Sequence, residues 1–234
     1  MKTVLITGAN GGLGSCLVKK YCSEGYRIFA FDYKLDKESD SMKKELGNIE
    51  LFSFIDVRDA GSINKARDLV AAKTDKIDVL INAAAILPEN SANVLEEFDI
   101  EGALDVYSTN ALGPLRIVQK FLNMVRNSEE KTIVNISSEA GSLSTHNNYI
   151  NRYDYCMSKA ALNMQSVILQ RYLIPENIRV LAIHPGWMKT VMGGEDAPIL
   201  PEVSADGIFD LVKTCRTDFG CGIYFDYDGC ERSW

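Results

Sequence analysis

This sequence is poorly equipped for metal, nucleic-acid or membrane chemistry. It has two histidines, His146 and His184, and six cysteines at 16, 22, 156, 215, 221 and 230, none forming a CxxC pair or a zinc-type spacing. The thiols read as ordinary and reduced, and no metal is expected. Basic charge is also short: 25 Lys and Arg against 32 Asp and Glu give a net charge of -7, with no basic block anywhere. Such a surface repels a phosphate backbone or an anionic membrane, so neither is expected as a partner. The first apolar run, in MKTVLITGAN, meets a glycine turn before it reaches the length of a signal peptide or a membrane span, so the expected location is cytoplasmic. No repeat, low-complexity tract or linker divides the 234 residues, and a 46% hydrophobic content suits one domain over 1–234.

What is present is alternation. Short β-branched runs occur at 3–7, 26–32, 49–56, 77–83, 131–138, 178–184 and 222–226, and helical stretches of ten or more residues fit between most of them. That order predicts an α/β fold: a Rossmann-type, doubly wound domain with a seven-stranded parallel sheet and helices on both faces. One long irregular passage remains, 185–203, where three prolines and three glycines interrupt any period. Long loops in small domains usually serve a site, and this one is the expected substrate loop.

The first strand runs into TGANGGLG, and Gly8, Gly12 and Gly14 lead directly into a helical stretch. Glycines here let the backbone turn tightly and approach a diphosphate, which free N–H groups and the dipole of the helix then hold. A plain strand-to-helix turn explains one glycine, hardly three. Asp32 closes the second strand, where a carboxylate can accept hydrogen bonds from an adenosine ribose; the alternative is a surface turn residue.

The stretch YDYCMSK, 153–159, offers two tyrosines and one lysine. At about 100° per residue, Tyr155 and Lys159 stack on one helical face, whereas Tyr153 lies roughly 120° away. Only Tyr155 can share a site with the lysine, although the spacing alone is common by chance. Tyr153, and His184 near a strand end, suit ordinary core roles. DYDG at 226–229 lacks the other carboxylates of a calcium loop and reads as a turn.

Taken together, Thr7, Gly8, Gly12 and Gly14, Asp56, NAAA at 82–85, Asn110, NISS at 135–138, Tyr155 with Lys159, and PGWMKT at 185–190 resemble the classical short-chain dehydrogenase/reductase family over essentially the whole chain. The ending GIYFDYDGCERSW and the stretch HPGWMKTVMGG resemble its C-factor and sniffer-type carbonyl reductase branch. The resemblance implies a nicotinamide cofactor, NAD preferred and NADP possible, held by Gly8, Asn10, Gly11, Gly12, Leu13, Gly14, Asp32, Asp56, Val57, Asn82, Ala83, Ala84, Tyr155, Lys159, Pro185, Gly186, Met188 and Thr190. It also implies catalysis by Ser138, Tyr155, Lys159 and Asn110 on a small carbonyl or alcohol substrate, in a homodimer or homotetramer. Two departures stand out. The usual NNAG reads NAAA, and the Ser138-to-Tyr155 interval is longer than usual, the insertion being roughly THNNYINR at 145–152.

Hydride transfer between a nicotinamide and a carbonyl carbon leaves an alkoxide that needs a proton and a hydrogen-bond donor. Tyr155 is expected to give the proton, and the Lys159 ammonium to lower the pKa of the phenol. Ser138, at the carboxyl end of the fifth strand, is expected to hold the carbonyl oxygen, with Ser137 turned to the other side. If 106–126 is one helix, Pro114 has no N–H for the Asn110 carbonyl, which leaves that carbonyl free; the resemblance implies that an asparagine here holds a water bonded to the lysine. Two other readings stay open: a nucleotide-binding signalling or regulatory protein without turnover, and an epimerase or dehydratase.

Overall fold

The computed structural model describes residues 1–34, 37–144, 149–215, 219–220 and 222–234. His146, Cys221 and residues 145–148 of the insertion lie outside the described residues. Seven strands form one parallel sheet: β1 (Thr3–Thr7), β2 (Arg27–Asp32), β3 (Ile49–Phe54), β4 (Val79–Asn82), β5 (Thr132–Ile136), β6 (Arg179–His184) and β7 (Tyr224–Asp226), in the order β3-β2-β1-β4-β5-β6-β7. β1 coincides with its apolar run, and the other six strands are one to three residues shorter in total than the runs that announce them. Alternation along β1 sends Val4 and Ile6 into one apolar layer and Leu5 into the other.

Helices α1 (Gly12–Ser23), α2 (Lys37–Glu45) and α7 (Pro201–Cys215) cover the first layer, through residues such as Leu17, Tyr21, Met42 and Phe209. Helices α3 (Ala60–Ala71), α5 (Gly113–Arg126) and α6 (Tyr153–Leu173) cover the second, through Ile63, Ile117, Phe121 and Leu173. The chain reverses its direction across the sheet between β1 and β4, and the carboxyl ends of these two strands open the crevice where ligands bind in doubly wound sheets. No helix among the described residues is long and apolar enough to cross a membrane.

Two elements differ from expectation. The helix predicted over 106–126 starts earlier, as α4 (Ile100–Tyr107), because the Asp99 carboxylate accepts the Gly102 N–H at 2.9 Å and caps it. It then passes through a π turn, Ser108–Leu112, before α5. Pro114 cannot supply the N–H that the ladder needs, and the helix widens around Asn110. The irregular passage after β6 ends at Leu200 rather than 203, because Pro201 opens α7 as its first residue, where a missing N–H costs nothing. The DYDG turn is as expected, with Gly229 at φ +89°.

Candidate active site

The glycine turn sits in the crevice between β1 and β4. Gly8 has φ +67°, and a Cβ there would stand 2.8 Å from the Ala84 backbone; a Cβ on Gly14 would lie 1.9 Å from the Gly8 carbonyl oxygen. The backbone following β4 is held just as closely, since Ala83 and Ala84 donate their N–H groups to Thr7 Oγ1 at 3.2 Å. Alanines at 83–85 keep this approach possible. Gly11 begins α1 with no side-chain cap, so the first-turn N–H groups of Gly12, Leu13 and Gly14 face the crevice for an anion to bind. This cradle fits a dinucleotide diphosphate. The Thr190 side chain fills the space that a Cβ on Gly12 would need, bringing the PGWMKT segment over the turn.

At the far end of the crevice, the Asp32 carboxylate accepts the backbone N–H groups of Asn10 and Lys34, both at 2.9 Å. It therefore fixes the glycine turn relative to the end of β2. The Asp56 carboxylate is clasped by Arg58 through Nε at 3.0 Å and Nη2 at 2.9 Å, which holds it below the usual carboxylate range. Val57 is buried beneath α5. Asn82 acts within a buried ladder: its Nδ2 donates to Asn135 Oδ1 at 2.9 Å, Asn135 Nδ2 to Ser166 Oγ at 2.9 Å, and Ser166 Oγ to the Leu162 carbonyl at 2.7 Å. Side-chain hydrogen bonds thus tie β4, β5 and α6 together.

Ser138 lies two residues beyond β5 in extended backbone, caps a short 3-10 turn by accepting the Ala140 N–H at 3.2 Å, and its hydroxyl acts to lower the Tyr155 phenol. The Tyr224 hydroxyl donates to the Ser138 carbonyl at 2.8 Å and pins it. Lys159 is 2% exposed, with Nζ 5.6 Å from the centre of the Tyr155 ring and donating to the Ile136 carbonyl at 2.8 Å. Asn110 Oδ1 accepts the Ile86 N–H at 2.8 Å, and its Nδ2 donates to the Ile86 carbonyl at 2.9 Å and to Ser158 Oγ at 3.1 Å. Its carboxamide clamps the loop after β4 to the residue before Lys159. Ser137 turns away, its hydroxyl bonded to Asn163 Oδ1.

The protonation pattern reverses one expectation. Burial pushes the Tyr155 phenol up to about 12, the Ser138 hydrogen bond opposes this without overcoming it, and Lys159 makes no contribution among the leading causes. Burial also brings the Lys159 ammonium down to about 8. Desolvation of each group outweighs their mutual effect, so the phenol is firmly protonated at neutral pH. Tyr153 is another correction: it is half-buried at the start of α6, its ring against Phe98 at 5.4 Å, and is not a core residue.

The PGWMKT loop is braced internally. Gly186 has φ +80°, the Pro185 carbonyl accepts from Ser204 Oγ at 2.7 Å, Met188 bridges Ile199, and the Trp187 indole N–H donates to the Gly193 carbonyl at 2.7 Å. His184, in contrast, is mostly buried and pushed down to about 4 by desolvation, so it is neutral and accepts the Glu139 N–H at Nδ1. Sequence reasoning missed Tyr224 and Asp154, and the ladder role of Asn135 within NISS, because these depend on partners distant in the chain. It also missed Arg152, which lies three residues before Tyr155 in left-handed backbone just ahead of α6, where the rule that paired Tyr155 with Lys159 does not reach.

Comparison with known proteins agrees with this geometry. The family model described as short chain dehydrogenase matches residues 2–198. The C-signal protein of Myxococcus xanthus is 34% identical over 161 residues, covering 69% of this chain and 95% of that protein. Among solved structures, an NADPH-bound carbonyl reductase from chicken fatty liver superposes with a TM-score of 0.91 at 27% identity, covering 100% of this chain and 99% of the other. The carbonyl reductase Sniffer of D. melanogaster gives a TM-score of 0.88 at 28% identity, with 100% of both chains covered.

Proposed function

We propose that this chain, which belongs to the short-chain dehydrogenase/reductase family and is an NAD(P)-dependent oxidoreductase, interconverts a carbonyl compound and its alcohol using Ser138, Tyr155 and Lys159. The observation that carries the proposal is the placement of Tyr155 one helical turn from the buried Lys159, whose Nζ lies 5.6 Å from the centre of the phenol ring, at the open end of the sheet. When bound, the nicotinamide supplies or takes the hydride. Ser138 donates a hydrogen bond to the carbonyl oxygen and orients it. Tyr155 then delivers its proton to the same oxygen as negative charge develops there; with the phenol held near 12, the proton is in place at neutral pH. Lys159 sets an ammonium, charged below pH of about 8, 5.6 Å from the centre of the Tyr155 ring. Asn110 is a positioning residue through Ile86 and Ser158, and the π turn forced by Pro114 supports a further role for its main-chain carbonyl in holding a relay water.

NADH is the proposed preference. The Asp32 carboxylate at the end of β2 would repel a ribose 2′-phosphate bound beside it, Arg58 is committed to Asp56, and Lys34 is the nearby cation that argues the other way. The proposed partners are a small carbonyl or alcohol substrate and a second copy of the chain. A second reading, nucleotide binding without turnover, draws on the likeness to the C-signal protein. A cofactor-oxidation screen over aldehydes, ketones, sugars and sugar nucleotides, with NADH and NADPH, separates the two. Turnover that disappears in Tyr155→Phe supports the enzyme; cofactor binding with no turnover of any carbonyl supports the alternative.

A further inference from the structure

Arg152 occupies a conformation that a side chain other than glycine adopts rarely: φ +61°, in the left-handed region, immediately before α6. It is held there by its own N–H, which donates to the Ser91 carbonyl at 2.8 Å. Ser91 is in turn fixed by the Asp154 carboxylate, whose second oxygen accepts the Tyr155 N–H at 2.7 Å. Arg152 and Tyr155 are thus locked together through one buried carboxylate. Arg152 immediately precedes α6, three residues before Tyr155, and its carbonyl accepts the Cys156 N–H at 2.9 Å, which ties its backbone to the first turn of the helix. The guanidinium stands over the Tyr149 ring at 5.6 Å, and its charge acts on both the Tyr149 and Tyr155 phenols.

Among the described residues, no carboxylate pairs with this guanidinium. Asp154 is taken by Ser91 and the Tyr155 N–H. Glu139, the other acid that acts on Tyr149, pairs with Arg232 at 3.5 Å and approaches His184 at 4.0 Å. The segment from Ala140 to Tyr153 contains no acidic residue at all. In a chain with net charge -7, an arginine left without an acid three residues before the expected proton donor is set apart from its surroundings. A planar fork of donors beside an aromatic face is suited to a carboxylate.

Resting on the oxidoreductase reading, we propose that Arg152 selects substrates that carry a carboxylate near the reacting carbonyl, so that the preferred substrate class is oxo acids and formyl-substituted carboxylic acids. The carbonyl oxygen would meet Ser138 and Tyr155 while the carboxylate would meet Arg152 just ahead of α6, with Tyr149 flanking the group between them.

The test uses matched pairs that differ only in charge: 4-formylbenzoate against its methyl ester, and pyruvate and levulinate against theirs. Steady-state kcat/KM is measured for wild type, Arg152→Asn and Arg152→Lys. Asparagine tolerates the left-handed backbone, and thermal unfolding verifies that each variant is folded. The expected result is an acid-over-ester preference of at least about tenfold in at least one pair for wild type, lost in Arg152→Asn through the acid alone and partly kept in Arg152→Lys. Equal use of acid and ester by wild type, or a preference that survives Arg152→Asn, overturns the proposal while leaving the oxidoreductase reading intact. Cofactor binding with no reduction of any carbonyl overturns both.

Discussion

Replacing Lys159 by methionine should make the protein more stable at neutral pH while abolishing its chemistry. Lys159 is 2% exposed, and its hydrogen-bond acceptor is the Ile136 carbonyl at 2.8 Å. Burial brings its pKa from 10.5 to about 8. At 1.36 kcal/mol for each pH unit, that difference makes the charged form about 3 kcal/mol less favourable in the folded chain than in the unfolded one. A lysine whose folded pKa lies below its unfolded value weakens the fold fully below pH of about 8, and the penalty is released as pH climbs toward 10.5. Methionine removes the penalty but leaves the Ile136 carbonyl without that donor, at a cost of about 1–2 kcal/mol. Lys159→Met is therefore expected to be about 1–2 kcal/mol more stable than wild type at pH 7 and less stable by a similar amount near pH 10.5, with the order changing between. Urea unfolding of both proteins at the two pH values measures this. A variant less stable than wild type by the same amount at both pH values would refute the desolvation argument.

Other expected outcomes follow from the same geometry. Wild type should use NADH with higher kcat/KM than NADPH, and Asp32→Ala should narrow or reverse that preference; a wild type at least as efficient with NADPH refutes the Asp32 argument and points to Lys34 as the phosphate partner. The segment 188–203 should show fast hydrogen exchange in the free protein and added protection once cofactor and substrate are bound, with the change concentrated between the bridged positions Met188 and Ile199. Equal protection in both states removes the lid role. The outward faces of α4 to α6 expose Leu104, Leu115, Met157, Met164, Ile168 and Tyr172, an apolar surface suited to a second copy of the chain. Sedimentation at micromolar concentration should give a multiple of the chain mass, and a mass near one chain contradicts the expectation.

The fold was legible because its signals are local. Each strand announces itself as a short β-branched run, and the run carries its two-layer alternation with it, as β1 does through Val4, Leu5 and Ile6. The glycine turn was legible for the same reason, since a positive φ at Gly8 and a 1.9 Å approach at Gly14 leave no other residue type possible there. The Tyr155–Lys159 pairing follows from helical angle alone. What escaped depends on burial and on partners far along the chain. Nothing local to Tyr155 says that its desolvation outweighs the effect of Lys159, and nothing near Ser138 names Tyr224, 86 positions later, as the residue that pins its carbonyl. The start of α4 was missed because the apolar residues before it, Val94, Leu95 and Phe98, blur the boundary that Asp99 sets by accepting the Gly102 N–H. The π turn was approached correctly from Pro114, but the ability of a helix to widen around a missing donor cannot be read from a single proline.

The central claim is that Tyr155, rather than its neighbour two residues earlier, gives the proton. The direct test is single-turnover reduction of a carbonyl substrate by wild type, Tyr155→Phe and Tyr153→Phe, with cofactor affinity measured separately by fluorescence titration. Tyr155→Phe is expected to bind cofactor nearly as wild type does while its turnover falls by at least about 10²- to 10⁴-fold, and Tyr153→Phe is expected to change little in either measurement. Equal losses in the two variants, or a greater loss in Tyr153→Phe, would contradict the assignment of the site.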